Sequence, residues 1–163
     1  MKHYETLDYK PKITWQYLNG FQLRGFFKLD DRKIEIQIDE YKVEDKILVD
    51  FGFVVDGYIQ AVEGKKSKAK LLAAVYNGAN EKIKQINPDL LLFFVIKSSG
   101  LVESKKSIYL SLARLLQRTY AFVFDSDWVE NEYGFYRIWS KMNLSKDKID
   151  LFIAHIQNKW FTN

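Results

Sequence analysis

The stretch PDLLLFFVIKSSG, residues 88–100, constrains this chain more than any other. Seven consecutive apolar residues, Leu90–Ile96, lie between a proline turn and a serine–glycine turn. An apolar run of that length, bounded at both ends by turn signals, predicts a strand buried on both faces. Helical patterns flank it on either side, so the strand is expected at the centre of the domain.

Upstream, ITWQYL and FQLRGFF are separated by Asn19 and Gly20, a pair that favours a type I′ hairpin turn because both central residues take positive φ. After a turn at Asp30 and Asp31, Ile34, Ile36 and Ile38 alternate with polar residues, which is the period of a strand with one wet face. A third turn at Glu44 and Asp45 leads into KILVDFGFVV, where Ile47, Val49, Phe51, Phe53 and Val55 share a face. Residues 13–55 therefore read as a four-stranded antiparallel meander. Residues 58–62 extend its last strand or form a short strand of their own.

Ser67 is the expected N-cap of a helix whose apolar positions Leu72, Val75, Tyr76, Ala79, Ile83 and Ile86 recur at helical spacing up to Pro88. Gly78 inside it costs about 1 kcal/mol relative to alanine. A second helix is predicted over residues 104–118, a short strand over 120–124, and another in GFYRIWSK after the acidic loop DSDWVENEYG. Ser145 caps the last helix, with Leu144 placed to staple against Ile149. The order β-β-β-β-α-β-α-β-β-α predicts one α+β domain over residues 1–163, with a mixed, mainly antiparallel sheet.

Composition narrows the chemistry. The chain has no cysteine, which excludes disulfides, thiolate nucleophiles and thiolate metal sites. Its start, MKHYETLDYKPK, lacks the apolar stretch of a signal peptide, and no run approaches the roughly 20 residues that span a bilayer. A cytoplasmic protein without membrane contact is expected.

His3 and His155 are the only histidines, and neither sits in a ligand spacing. Asp125, Asp127, Glu130 and Glu132 share a loop without the calcium-loop pattern, so no metal is expected. Ser-nucleophile elbows, Walker A loops and GxGxxG motifs are absent.

The net charge of +4 is uneven: residues 64–118 hold 11 basic and 3 acidic side chains, whereas residues 1–63 hold 9 and 12. A lysine-rich middle segment suits an acidic partner or a nucleic-acid backbone, although no aromatic run of an RNA-recognition strand accompanies it.

The element order, with antiparallel strands, a helix after a basic loop, a buried strand and a helix containing Ile108-Tyr109-Leu110, is similar to that of the GNAT superfamily of acetyl-CoA-dependent acyltransferases. The resemblance covers roughly residues 34–139. It implies a cofactor pyrophosphate held at EGKKSKAK, residues 63–70, with Lys65, Lys66, Ser67 and Lys68 as its binding residues. It also implies Tyr109 as general acid, and a ligand cleft bordered by residues 97–100. The family's Q/R-x-x-G-x-G/A signature is replaced here, with Lys66 and Lys68 where small residues stand in the family.

Apart from the resemblance, the residues favour a small interaction or regulatory protein of bacterial or phage type, without a cofactor. It would bind a protein partner through residues 125–136. Trp128, Tyr133, Tyr136 and Arg137 are the expected anchors, because aromatic rings and arginine are enriched at interface hot spots. Acyl transfer from acetyl-CoA is the alternative, and phosphate-backbone binding through the lysines is a second one.

Overall fold

The computed structural model describes residues 10–56, 65–99 and 102–162, with side chains left aside at 65–68, 99 and 160–162. Strands β1 (Thr14–Tyr17), β2 (Gln22–Leu29), β3 (Arg32–Val43) and β4 (Lys46–Val55) form the expected antiparallel meander. The alternation sets its faces. Ile34, Ile36 and Ile38 lie opposite Val55, Phe53 and Phe51, and all six are buried on the same side. Residues 58–62 lie outside the described segments.

The turns at Asp30-Asp31 and Glu44-Asp45 are where expected, and the one at Asn19-Gly20 differs in kind. Asp30 and Asp31 have φ of 50° and 66°, and Glu44 and Asp45 have 49° and 66°, so the two-residue turns with both centres at positive φ are these. At the Asn19-Gly20 site the chain instead makes a longer connection. The Asn19 side-chain oxygen accepts the N–H groups of Phe21 (3.1 Å) and Gln22 (3.0 Å). One carboxamide thereby satisfies two backbone donors, and that local bond outweighs the dipeptide's turn preference.

Helix α1 (Lys65–Ile86) crosses from β4 to β5 (Leu90–Ile96), which pairs parallel to β4. Ser67 lies inside the first turn of α1 instead of capping it. Gly78 has a packing reason: a Cβ there would come within 2.3 Å of Ile13 Cδ1 and 3.2 Å of Pro11 Cγ. The lead-in to β1 therefore lies directly on the helix. Asn87, at φ 52°, closes the helix by donating its N–H to the Ile83 carbonyl before Pro88 redirects the chain.

Helix α2 (Val102–Tyr120) follows β5 and is longer at both ends than its periodicity indicates. Tyr120, expected to open a strand, is its last residue. Ala121 then takes φ 55°, a left-handed conformation that an alanine side chain does nothing to offset. Ala121→Gly is expected to raise stability by roughly 0.5–1 kcal/mol in urea denaturation, and an unchanged midpoint would remove this account of the cap.

Strands β6 (Phe124–Asp125), β7 (Val129–Glu130) and β8 (Gly134–Ser140) complete an eight-stranded mixed sheet. Its order is β1-β2-β3-β4-β5-β8-β6, with β7 also paired to β8. Helix α3 (Lys146–Thr162) starts as expected, with Ser145 Oγ accepting the Lys148 N–H at 3.2 Å.

The central strand is buried on both faces. Leu91, Phe93 and Val95 pack with α1 and α2, while Leu90 and Leu92 pack with α3. Each such side chain contributes about 1.5–3 kcal/mol. On its face of the sheet, α3 packs against Tyr41, Leu48, Leu90 and Ile138. Farther along that face Glu35, Gln37, Gly52 and Val54 are half-buried, and Phe26 and Ile96 are 39% and 51% exposed. No described helix is long and apolar enough to cross a membrane.

Candidate functional site

The parallel ladder between β4 and β5 is short. It pairs Leu48 with Leu90, Val49 with Leu91 and Asp50 with Leu92, and then ends, although both strands run on. The α1–α2 side of this gap is closed by rings. Phe51 meets Phe93 at 5.9 Å between centroids, and the Tyr109 ring from α2 contacts Phe93 at 5.4 Å and Phe53 at 5.6 Å.

Tyr109 is 3% exposed, and its hydroxyl arrives at the level of the sheet beside Gly52. A Cβ at Gly52 would lie 3.4 Å from Tyr109 Oη and 3.5 Å from Gln37 Oε1. The Phe53 backbone N–H bonds to that hydroxyl, so the phenol takes up a strand donor where the ladder has stopped.

Asp50 stands two residues before Gly52 on the same face, and antiparallel register sets Asp39 directly opposite it. Arg24 Nη1 donates to Asp39 Oδ1 at 2.6 Å, with both side chains nearly buried, while Asp50 has no hydrogen-bond partner among the described residues. Asp50 is half-buried and closely surrounded by protein, on the side of the sheet where Gly52 leaves a shallow recess.

Burial pushes its carboxyl up to about 8. The Asp39 charge adds to the rise and Arg24 opposes it. Burial also raises Asp39, outweighing its bond to and attraction by Arg24. The Tyr109 hydroxyl is raised by burial and by the Asp50 charge, against the Phe53 bond. Gln37 is oriented by donating from Nε2 to Glu35 Oε2 at 2.9 Å, which leaves its oxygen toward Gly52. At neutral pH the recess therefore offers two protonated oxygens, a carboxylic acid and a phenol, beside a side-chain gap.

Sequence reasoning singled out Tyr109 and missed Asp50. The signal was present: a two-residue turn at Glu44-Asp45 fixes the β3–β4 register and sets Asp39 against Asp50. An aspartate on the wet face of a strand is usually solvated, and only the third dimension surrounds this one with protein.

The four expected partner anchors do not form one surface. Arg137 makes two bonds to Asp125, Nε to Oδ1 at 2.8 Å and Nη2 to Oδ2 at 2.5 Å, and its Nη1 lies 3.4 Å from Asp127 Oδ1. Its guanidinium carbon is 5.8 Å from the Trp128 ring centre and 5.4 Å from that of Trp139. Trp128 is half-buried against the core, with Lys106 on it at 5.8 Å. Tyr136 is 3% exposed and belongs to the α3 face, which leaves Tyr133, 44% exposed, as the accessible one of the four.

The basic segment is similarly divided. Lys70 pairs with Asp30, Lys82 lies over Trp15, Lys97 pairs with Glu130, Lys106 lies 3.7 Å from the centre of Phe135, and Lys105 is buried. Lys84, Arg114 and Arg118 are exposed. Lys65, Lys66, Ser67 and Lys68 form the start of α1, with side chains outside those described. Comparison with protein-family models, with curated proteins and with solved structures gives no match to this chain.

Proposed function

We propose that the chain is a GNAT-like acyltransferase that takes acetyl-CoA at the gap between β4 and β5, with Tyr109 as proton donor. The observation that carries this reading is the arrival of the Tyr109 hydroxyl beside Gly52, where the parallel ladder ends. The acyl end of such a substrate suits the recess. Gly52 leaves room, Gln37 Oε1 and Tyr109 Oη border it, Asp50 stands two residues away on the same face, and the residues beyond are half-buried or exposed. The rings of Phe51, Phe93 and Tyr109 close the opposite side, so the substrate approaches from the face that α3 only partly covers.

In the transfer a nucleophile bonds to the acyl carbon, the carbon–sulfur bond breaks, and the sulfur leaves with its electron pair. Tyr109, held neutral by burial, supplies the proton that this thiolate needs. The nucleophile's own proton passes to solvent on the open face, and Tyr109 regains a proton from that solvent once the thiol has left. The first turn of α1, with its positive dipole end, is the element the phosphates would meet. Partner binding through residues 125–136 ranks behind this reading, because Arg137 and Trp128 are engaged internally.

The test is a thermal shift with acetyl-CoA and with CoA. A ligand that binds the native state at a hundredfold excess over its Kd adds about 2.7 kcal/mol to stability. No shift at millimolar concentration with either ligand overturns the proposal.

A further inference from the structure

We infer that, in the bound complex before the sulfur leaves, Asp50 and Tyr109 together form a two-donor cradle for the carbonyl oxygen of an acyl group, with Asp50 acting as a hydrogen-bond donor and not as a base. The inference rests on the acyl-CoA reading above and goes beyond it in assigning Asp50 and the atom it recognises.

Three observations lead there. The Tyr109 hydroxyl accepts the Phe53 N–H, yet its own proton has no acceptor among the described residues, although the side chain is 97% buried at 3% exposure. Asp50 likewise has no hydrogen-bond partner there, in a fold where the neighbouring Asp39 is tied to Arg24 at 2.6 Å. The Tyr109 hydroxyl lies beside Gly52, the one residue on this stretch of β4 that has no side chain, and Asp50 stands two residues before it on the same face. Two unused donors beside a gap suit an oxygen that two hydrogen bonds can reach.

The charges around Asp50 keep it in its donor form. Asp39, across the β3–β4 ladder, opposes its ionisation, whereas Arg24 from β2 favours ionisation but is already bonded to Asp39. Glu35, on the same face of β3, is bonded to Gln37, and Tyr109 reaches the recess from α2. With the carboxyl raised to about 8, the acid form predominates at pH 6.5 and is lost by pH 9. A carboxylic acid held neutral beside a tyrosine is a known way to stabilise a carbonyl oxygen as it gains charge.

The experiment compares acetyl-CoA with S-ethyl-CoA, which lacks only the carbonyl oxygen, by calorimetric titration at pH 6.5 and pH 9. One net hydrogen bond corresponds to about tenfold in affinity. The wild type is expected to prefer acetyl-CoA by about tenfold or more at pH 6.5, and to lose most of that preference at pH 9. Asp50→Asn keeps an N–H donor, so its preference should persist without pH dependence. Asp50→Ala should reduce the preference at pH 6.5 to about the level the wild type shows at pH 9, without pH dependence, and Tyr109→Phe should weaken it while leaving S-ethyl-CoA binding intact.

Equal binding of the two ligands overturns the cradle and leaves the acyl-CoA reading standing. Absence of binding by either ligand overturns both. A preference that rises with pH would make Asp50 act as an anion and would also overturn the cradle.

Discussion

Asp50→Asn is expected to stabilise the protein at pH 7–8 and to remove a fall in stability that the wild type shows from about pH 4 to pH 8. The carboxyl is raised from its ordinary value to about 8, so the folded state binds a proton in this window that the unfolded chain has released. Stability from that proton is fully present below the unfolded pKa and is lost as pH rises through the folded one. The slope is at most about 1.4 kcal/mol per pH unit, and solvent reaching the recess reduces it.

Asp39 is raised as well and contributes in the same direction, so some slope should remain in the variant. Urea denaturation of both proteins at pH 5, 6.5 and 8 measures the difference. Parallel curves for wild type and variant would exclude a desolvated carboxylic acid at position 50. A gain in stability at a site proposed to bind ligand is the usual trade between function and fold.

The second large effect is expected at Gly134. A Cβ there would stand 2.1 Å from the Val95 carbonyl oxygen, 3.0 Å from its carbon and 3.1 Å from Ile96 Cα. All three atoms are backbone of the central strand, and they cannot yield without opening the β5–β8 ladder. Gly134→Ala should therefore cost about 3 kcal/mol, the upper end of the overpacking range. Gly78→Ala provides the contrast. Its collision is with Ile13 Cδ1, the end of a flexible side chain, and the helix gains about 1 kcal/mol of propensity. A small net change is expected there. If Gly134→Ala unfolded at the wild-type urea midpoint, the close approach of β8 to β5 would be wrong.

Much of the architecture follows from periodicity. The run Leu90–Ile96 is a central strand because seven apolar residues in an extended chain need cover on both sides, and three helices supply it. The isoleucines of β3 and the phenylalanines of β4 set the buried face by simple alternation. Legibility fails where side chains compete with backbone or act at a distance. Asn19 forms its own bonds instead of a tight turn, and Tyr120 remains helical because its hydroxyl reaches Asn80 Oδ1 at 2.6 Å.

The site divides in the same way. Tyr109 stands out through a resemblance in element order, whereas Asp50 gains its character from Asp39, Arg24 and burial, none of which is adjacent in the chain. In the aromatic loop, composition does not say which rings face inward. Arg137, which looks like an anchor for a partner, closes the loop on its own aspartates.

The three-rung join of β4 to β5 has a further consequence. On one side of it, strands β1–β4 are linked by short hairpin connections, so their pairing closes small loops at little entropic cost. On the other side, β8 folds back onto β5 only after α2 has been laid down. The join itself links strands separated by the whole of α1, and it does so with few backbone bonds. Both long closures of the sheet, β4 to β5 and β5 to β8, span a helix, and the first of them is made with only three paired residues. The packing of Val49, Phe51 and Phe93 beneath α1 and α2, more than hydrogen bonding across the ladder, holds the two antiparallel halves as one sheet.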